Sequence, residues 1–509
     1  METALSATYN RKAGRKEWIG LAVLALPALL VSMDMTVIYL AVPAITASLK
    51  PGSAQLLWIT DIFGFMEAGF LISMGTLGDR IGRKKLLLTG AILFTLASVL
   101  TAFAATASML IAARALLGIT GATLLPSTLS LIRNLFHDDK QRTFAIGIWT
   151  TCFSAGTMLG PFAGGYLLTH FWWGSVFLMG VPVMILLLVL APRLLPESRS
   201  QEAGRFDLPS VGLLIIATLS VVYGIKCMAE DGVTWLPFVA IISGLILGVF
   251  FLRRQKELNS PLIDLSLFRV PAWNAALGAL MVSLFSWTGM LLLVTQYLQL
   301  VLDINPFRAG LLTMPGSLSS VVFCMLAPVL ARKTGRKQGI VAGLLTLAAG
   351  IASLAFTEIN SGITITIIAT ILISAGCGTV VTLGTDFVIG GVPTDRVGSA
   401  AGISETSTTL GSALGVALLG SIWTAGYRHA MFSVSVGQVD AVQADIVRNT
   451  LGGALAVAKQ LPHREAALLI GTARNAFVSS FHITTLVCTG IVILTAVVVW
   501  KALRINRES

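Results

Sequence analysis

Leu77-Gly78-Asp79-Arg80-Ile81-Gly82-Arg83-Lys84 returns, in weakened form, as Leu330-Ala331-Arg332-Lys333-Thr334-Gly335-Arg336-Lys337. Each copy is a short, basic, glycine-bearing link between two long apolar runs. A link that recurs at the same place in a second half marks a chain built by duplication, with two like-oriented halves. The runs around it approach or exceed the roughly 20 residues an α-helix needs to cross about 30 Å of hydrocarbon. They are too long, and too free of strict alternation, to be strands. We read spans near 18–47, 55–76, 86–104, 107–131, 143–168, 175–196, 209–227, 234–253, 273–298, 307–331, 338–357, 361–385, 398–424 and 478–502, fourteen in all. The spacing of the two copies leaves two spans, near 209–253, between halves of six. The expected fold is therefore an all-α membrane protein: a six-helix bundle in residues 1–200, two extra helices in 201–258, and a second six-helix bundle in 259–509.

Composition agrees. Only 12% of the 509 residues are charged and 55% are hydrophobic, whereas a soluble protein carries about 25% charged residues. The net charge of +11 would fit a nucleic-acid binder, but its placement excludes one. Arg80, Arg83, Lys84 and Lys85, then Arg133, Lys140 and Arg142, then Arg253, Arg254 and Lys256, then Arg332, Lys333, Arg336 and Lys337 fall in alternate loops. That is the pattern of a topology determinant, and it puts both termini in the cytoplasm. Basic Arg11, Lys12, Arg15 and Lys16 followed by apolar sequence from Trp18 read as an uncleaved first span. The five cysteines and five histidines show no metal-ligand spacing, and there is no phosphate-binding loop. An enzyme, a metal site, a bound cofactor and an ATP-driven pump are not expected. The connection near 425–477 carries two helical patterns, 442–460 and 464–477, separated by Pro462, and is read as an external helical hairpin that buries Leu451, Leu455, Val457, Leu468 and Ile470.

Asp34, Asp61, Glu67 and Glu405 stand inside apolar stretches, as does Arg114. Ionisable groups are costly in hydrocarbon and are by default functional candidates there. At about 1.5 Å per residue, Asp34, Asp61 and Arg114 reach levels within roughly 5 Å of one another. Asp34 and Arg114 are expected to pair, each offsetting the other's desolvation, with a proton or a cargo cation breaking the pair. Asp61, three residues from Trp58, fits either a cavity acid or a solvated acid at a helix start. Glu67 lies about 120° further round the same helix, facing a neighbouring helix or the cavity. Glu405, among Ser404, Thr406, Ser407, Thr408 and Thr409, suits proton coupling in a wet cavity or a packing hydrogen bond. Lys226, ending a span, is read as snorkelling to the interface and given no role.

Gly75, Gly78 and Gly82 surround Asp79 in a tight turn with Arg80 and Arg83, and Asp79 is expected to take a basic partner such as Arg142. Gly156, Gly160, Gly164 and Gly165 allow close helix approach, and Pro161 permits a bend. An apolar, aromatic, Met-lined cavity with carboxylates suits a lipophilic cation. Candidate linings are Tyr39, Phe65, Met66, Trp149, Phe153, Trp287, Met290, Met314 and Phe323.

The segment Gly75–Lys85 resembles motif A of the major facilitator superfamily. Leu110, Arg114, Gly118, Gly121 and Ala122 resemble its motif B, and Gly156-Thr157-Met158-Leu159-Gly160-Pro161-Phe162-Ala163-Gly164-Gly165 its antiporter motif. Met33-Asp34-Met35-Thr36-Val37, Trp58–Asp61, Gln296–Gln299 and Pro306–Gly310 resemble the fourteen-span drug:proton antiporters, nearest the bacterial quaternary-ammonium exporters. The resemblance implies a monomeric cell-membrane exporter exchanging lipophilic cations for protons. A carrier of one specific metabolite or antibiotic, working by the same mechanism, is the alternative. The chain departs from that group at Ser320, Ser404 and Thr409, where some of those exporters carry acids, and at Glu67, where the pattern is apolar.

Overall fold

The computed structural model describes residues 13–136, 138–197, 207–231, 235–258, 267–359, 362–390, 397–432 and 441–505. Within them the chain is helical. In chain order the helices are α1 (Arg15–Leu49), α2 (Ser53–Ile81), α3 (Arg83–Ala102), α4 (Ala107–Leu135), α5 (Asp139–His170), α6 (Ser175–Leu194), α7 (Leu208–Asp231) and α8 (Trp235–Glu257). There follow α9 (Pro271–Gln296, extended by a π turn over Tyr297–Val301), α10 (Pro306–Thr334), α11 (Arg336–Ser353), α12 (Ile363–Gly390) and α13 (Val397–Phe432). The last are α14 (Ala441–Asn449), α15 (Leu451–Ala458) and α16 (His463–Ile505). Several starts follow from their first residues. Thr106, Asp138, Asn305 and Thr450 cap backbone N–H groups with side-chain oxygens, and proline opens α9 and α10, where its missing N–H is not needed.

Among the described residues twelve helices are long and apolar enough to cross a membrane. The other two expected spans correspond to α2 and α5, helices of 29 and 32 residues packed along α4 and α1 respectively.

Helices α1–α6 share one core, which includes Leu24, Ile38, Leu117 and Leu187. Helices α9–α13 and α16 share another, around Leu293, Leu344, Ile351 and Phe481. Helices α7 and α8 pack on each other, and α7 also touches α2 and α13. The outer face of α8 is exposed and apolar (Ile242, Leu245, Ile246, Val249, Phe250), as a lipid-facing helix requires.

The repeated link is built the same way twice. Gly82 and Gly335 hold φ +112° and +94°, the left-handed region that favours glycine. Each donates its N–H four residues back, to Gly78 and Ala331, and accepts from the N–H four residues on, of Leu86 and Gly339.

The two helix sets meet at the end of the bundle away from both described chain ends. The Thr295 hydroxyl donates to the Tyr39 carbonyl at 3.2 Å, and the Gln299 amide to that of Leu40 at 3.2 Å. Pro161 and Gly165 of α5 lie against Gly310 and Pro306 of α10 with backbone in contact.

The segment read as a two-helix hairpin takes a different form. Helix α13 runs on to Phe432, and α16 is one unbroken helix from His463 through the expected final span. Only α14 and α15 are separate. They lie over the closed end, where the Ser53 hydroxyl donates to Asn449 O at 2.7 Å and the Tyr427 hydroxyl to Val447 O at 3.2 Å. Leu451 and Val457 are buried and Leu455 and Ile470 half-buried, but Leu468 is 67% exposed. Continuity of α16 turns Leu468 to the outside, which helical periodicity alone did not fix.

Candidate functional site

The intramembrane charges gather around one side chain. Arg114 of α4 is 1% exposed. Its Nη1 donates to Asp34 Oδ2 of α1 at 2.6 Å, and its Nε donates to the Ile59 carbonyl of α2 at 3.2 Å. The guanidinium carbon lies 5.0 Å from the Phe63 ring centre and 5.6 Å from that of Phe177. Gly118, one turn further along α4, makes this possible: a Cβ there would fall 2.3 Å from the Phe63 carbonyl of α2. Arg114 thus joins its own helix to three others by charge, hydrogen bond and ring contact.

Asp61 has a partner the sequence did not reveal. Lys226 of α7 reaches it with Nζ 2.9 Å from each carboxylate oxygen, and both side chains are fully buried. The snorkelling reading of Lys226 is corrected. Its side chain turns inward, because a carboxylate and the Trp58 ring, 3.7 Å from Nζ to ring centre, receive it there. The signal available in the sequence was a lysine and an acid at similar depths in different spans, which says nothing of their being neighbours.

Glu67 is 1% exposed, and neither carboxyl oxygen has a hydrogen-bond partner among the described residues. It lies beside Gly121 of α4. Glu405 is the exposed acid of the set, with buried Ser404 and Thr406 on either side. It is carried by α13, which packs along α2, the helix of Glu67.

Helices α2, α7, α9 and α13 enclose an almost wholly apolar cavity of about 320 Å³, whose walls include Phe65, Gly69, Ile215, Met281 and Thr406. Of the expected cavity residues only Phe65 lines it. Met290 and Tyr39 are packed into the cores. They lie where α1 and α9 close together, so apolar character gave no way to tell them from cavity walls. Trp149 stacks on Phe153 with ring centres 6.2 Å apart and donates to Thr128. Trp287 donates to Ser374. Met66, Met314 and Phe323 are half-buried.

The glycine series of α5 rides on α1. A Cβ would meet Ser32 Oγ at 2.0 Å from Gly156, Thr36 Oγ1 at 2.3 Å from Gly160 and Val37 Cγ2 at 2.0 Å from Gly164. At the crossing with α10, a Cβ on Gly310 would lie 2.3 Å from the Pro161 carbonyl. Gly310→Val is expected to wedge α5 from α10 and slow transport tenfold or more, read as the initial rate of cargo movement in vesicles.

In the basic turn, Gly82 lies against Glu197, which accepts from the Lys84 N–H at 3.0 Å, and Lys84 Nζ donates to the Pro192 carbonyl. The turn therefore grips the end of α6, a contact that sequence reasoning missed. Gly75 has open space and Arg80 is exposed. The expected Asp79–Arg142 pair falls on side chains outside the described residues.

The model of the Major Facilitator Superfamily matches residues 24–416. This chain belongs to the major facilitator superfamily. It is a multi-pass membrane transporter, not an enzyme. Among its superfamily relatives, the multidrug efflux pump LfrA of Mycolicibacterium smegmatis is 39% identical over 99% of this chain and 100% of its own length. The methyl viologen resistance protein SmvA of Salmonella typhimurium is 32% identical over 96% and 98%. A bacterial homolog of the human lysosomal transporter Spinster, in an inward-facing and unoccupied conformation, shares the superfamily fold with TM-score 0.67 at 17% identity, covering 96% of this chain and 99% of that one.

Proposed function

We propose that the protein is a proton-coupled multidrug exporter that moves lipophilic cations out of the cytoplasm or the inner leaflet and admits protons in exchange. The observation that carries this reading is the buried cluster around Arg114. The chain has four intramembrane carboxylates and two internal cations, which pair with Asp34 and Asp61 and leave Glu67 and Glu405 without an ion-pair partner among the described residues. An unpartnered carboxyl inside a membrane protein has two inexpensive states, protonated or holding a cation, and exchange between them is antiport. The relatives named for multidrug efflux and for resistance to methyl viologen, an organic dication, support the cargo class.

In this reading α2 and α5 are the remaining two of fourteen spans. Residues 1–200 and 259–509 form the rocking bundles, with α7 and α8 inserted between them, and the protein works as a monomer. The basic loops support cytoplasmic termini, and on this reading the state with α1 and α9 in contact is open to the inside. The glycine-lined contacts of α5 with α1 and α10 supply surfaces that slide without side chains to disengage.

The test is ethidium movement in everted vesicles containing the full chain. Uptake into the vesicles is expected when an inside-acid gradient is imposed and is expected to stop when an ionophore collapses it. Uptake that survives the ionophore rejects proton coupling, and no uptake under any gradient rejects the cargo class.

A further inference from the structure

Lys226 plays no part in that exchange, yet it is buried as completely as Arg114. An ammonium group has three N–H donors and no acceptor. Here it faces both oxygens of Asp61 at 2.9 Å and the Trp58 ring at 3.7 Å. A carboxylate beside an aromatic face is the chemistry that recognises an organic cation. The lysine is thus a cation already seated in a cation site, and it is tethered to α7, which belongs to neither of the two helix sets. Asp61 follows two residues after Ile59, whose carbonyl accepts from Arg114 Nε at 3.2 Å, so the seat adjoins the Asp34–Arg114 pair.

We propose that Lys226 is a built-in counter-cation that sets the charge selectivity of the transporter. While it occupies Asp61, cargo meets two carboxylates without internal partners, Glu67 and Glu405. Displacing it opens a third carboxylate with an aromatic wall, suited to the second positive charge of an organic dication. The inference rests on the cation-export reading and deepens it. A singly charged cargo has no use for the Asp61 seat and leaves Lys226 in place. A doubly charged cargo must drive the ammonium out and therefore bears the cost of breaking a buried pair.

The test compares methyl viologen, a dication, with ethidium, a monocation, by equilibrium binding to the purified full-length protein in nanodiscs. Lys226→Met is expected to strengthen methyl viologen relative to ethidium by about tenfold, the scale of one added charge pair between the surface and buried limits. Lys226→Arg keeps the charge and is expected to hold the wild-type ratio. The double variant Asp61→Asn, Lys226→Met is expected to return toward that ratio, because the seat itself has lost its charge. An unchanged ratio in Lys226→Met, or a shift that persists in the double variant, overturns the proposal.

A purely structural ion pair would weaken both cargoes alike and leave the ratio alone. Should Lys226→Met not accumulate in folded form, the wild-type protein supplies the same test. Methyl viologen, and not ethidium, is expected to increase reductive methylation of Lys226 as read by mass spectrometry, and equal labelling under both overturns the proposal. Binding of neither cation sinks the export reading itself, whereas binding with an unchanged ratio sinks only the role of Lys226.

Discussion

Asp34→Asn is expected to lower gradient-driven cation export a hundredfold or more and, separately, to destabilise the folded protein by about 3–5 kcal/mol. The second effect follows from what remains: Arg114, buried, with its charge no longer compensated by the carboxylate 2.6 Å away. The two effects come apart in the double variant Asp34→Asn, Arg114→Met. Replacing both partners of a buried ion pair with neutral groups of similar volume is close to neutral for stability, because no lone charge is left in low dielectric. Thermal stability in detergent is therefore expected to recover in the double variant while export stays at the level of Asp34→Asn. A permanent ion pair that only ties α1 to α4 predicts the opposite, export recovering along with stability. Thermal melts and vesicle transport on the same preparations decide between the two.

Glu67→Met is expected to move stability and function in opposite directions. Both carboxyl oxygens of Glu67 are buried without a hydrogen-bond partner among the described residues, and an unsatisfied buried polar group costs about 1–3 kcal/mol. An apolar side chain of similar volume removes that cost, so the variant is expected to be more stable by about that amount. Export is expected to fall tenfold or more, because a carboxyl able to alternate between a proton and a cation has gone. A stabilised protein that still exports at the wild-type rate would falsify the assignment of Glu67 and leave it as a tolerated defect. Increased stability with lost activity is the mark of a group held in an unfavourable environment for a task.

Much of the architecture was legible along the chain. The apolar runs marked most of the helices to within a few residues, since length and composition are local properties that the bilayer reads directly; the exceptions are α13, which runs eight residues past its expected end, and α16, which starts fifteen before its expected beginning. The duplicated link placed Gly82 and Gly335 in matching turns, because a left-handed backbone selects glycine wherever it occurs. Asp34 and Arg114 were paired by depth alone, since rise per residue converts position into height. Depth failed for Lys226. Height does not reveal which helix stands beside which, and the contact of α7 with α2 depends on how the two inserted helices dock against the rest. The same limit applied to the cavity. Phe65 and Met290 are equally apolar in sequence, but one lines a space among four helices while the other is packed in a core.

The sequence by itself determined that this chain is a bundle of membrane helices with a repeated basic link, carrying charges that hydrocarbon would reject without a use for them. Each of those conclusions follows from properties that short stretches carry wherever they are placed. Only the tertiary structure decided which acids have a cation beside them and which have none among the described residues. That assignment turns on separations of 2.6 and 2.9 Å between side chains 80 and 165 residues apart, and a charge in low dielectric is governed by its nearest neighbour rather than by its neighbours in sequence.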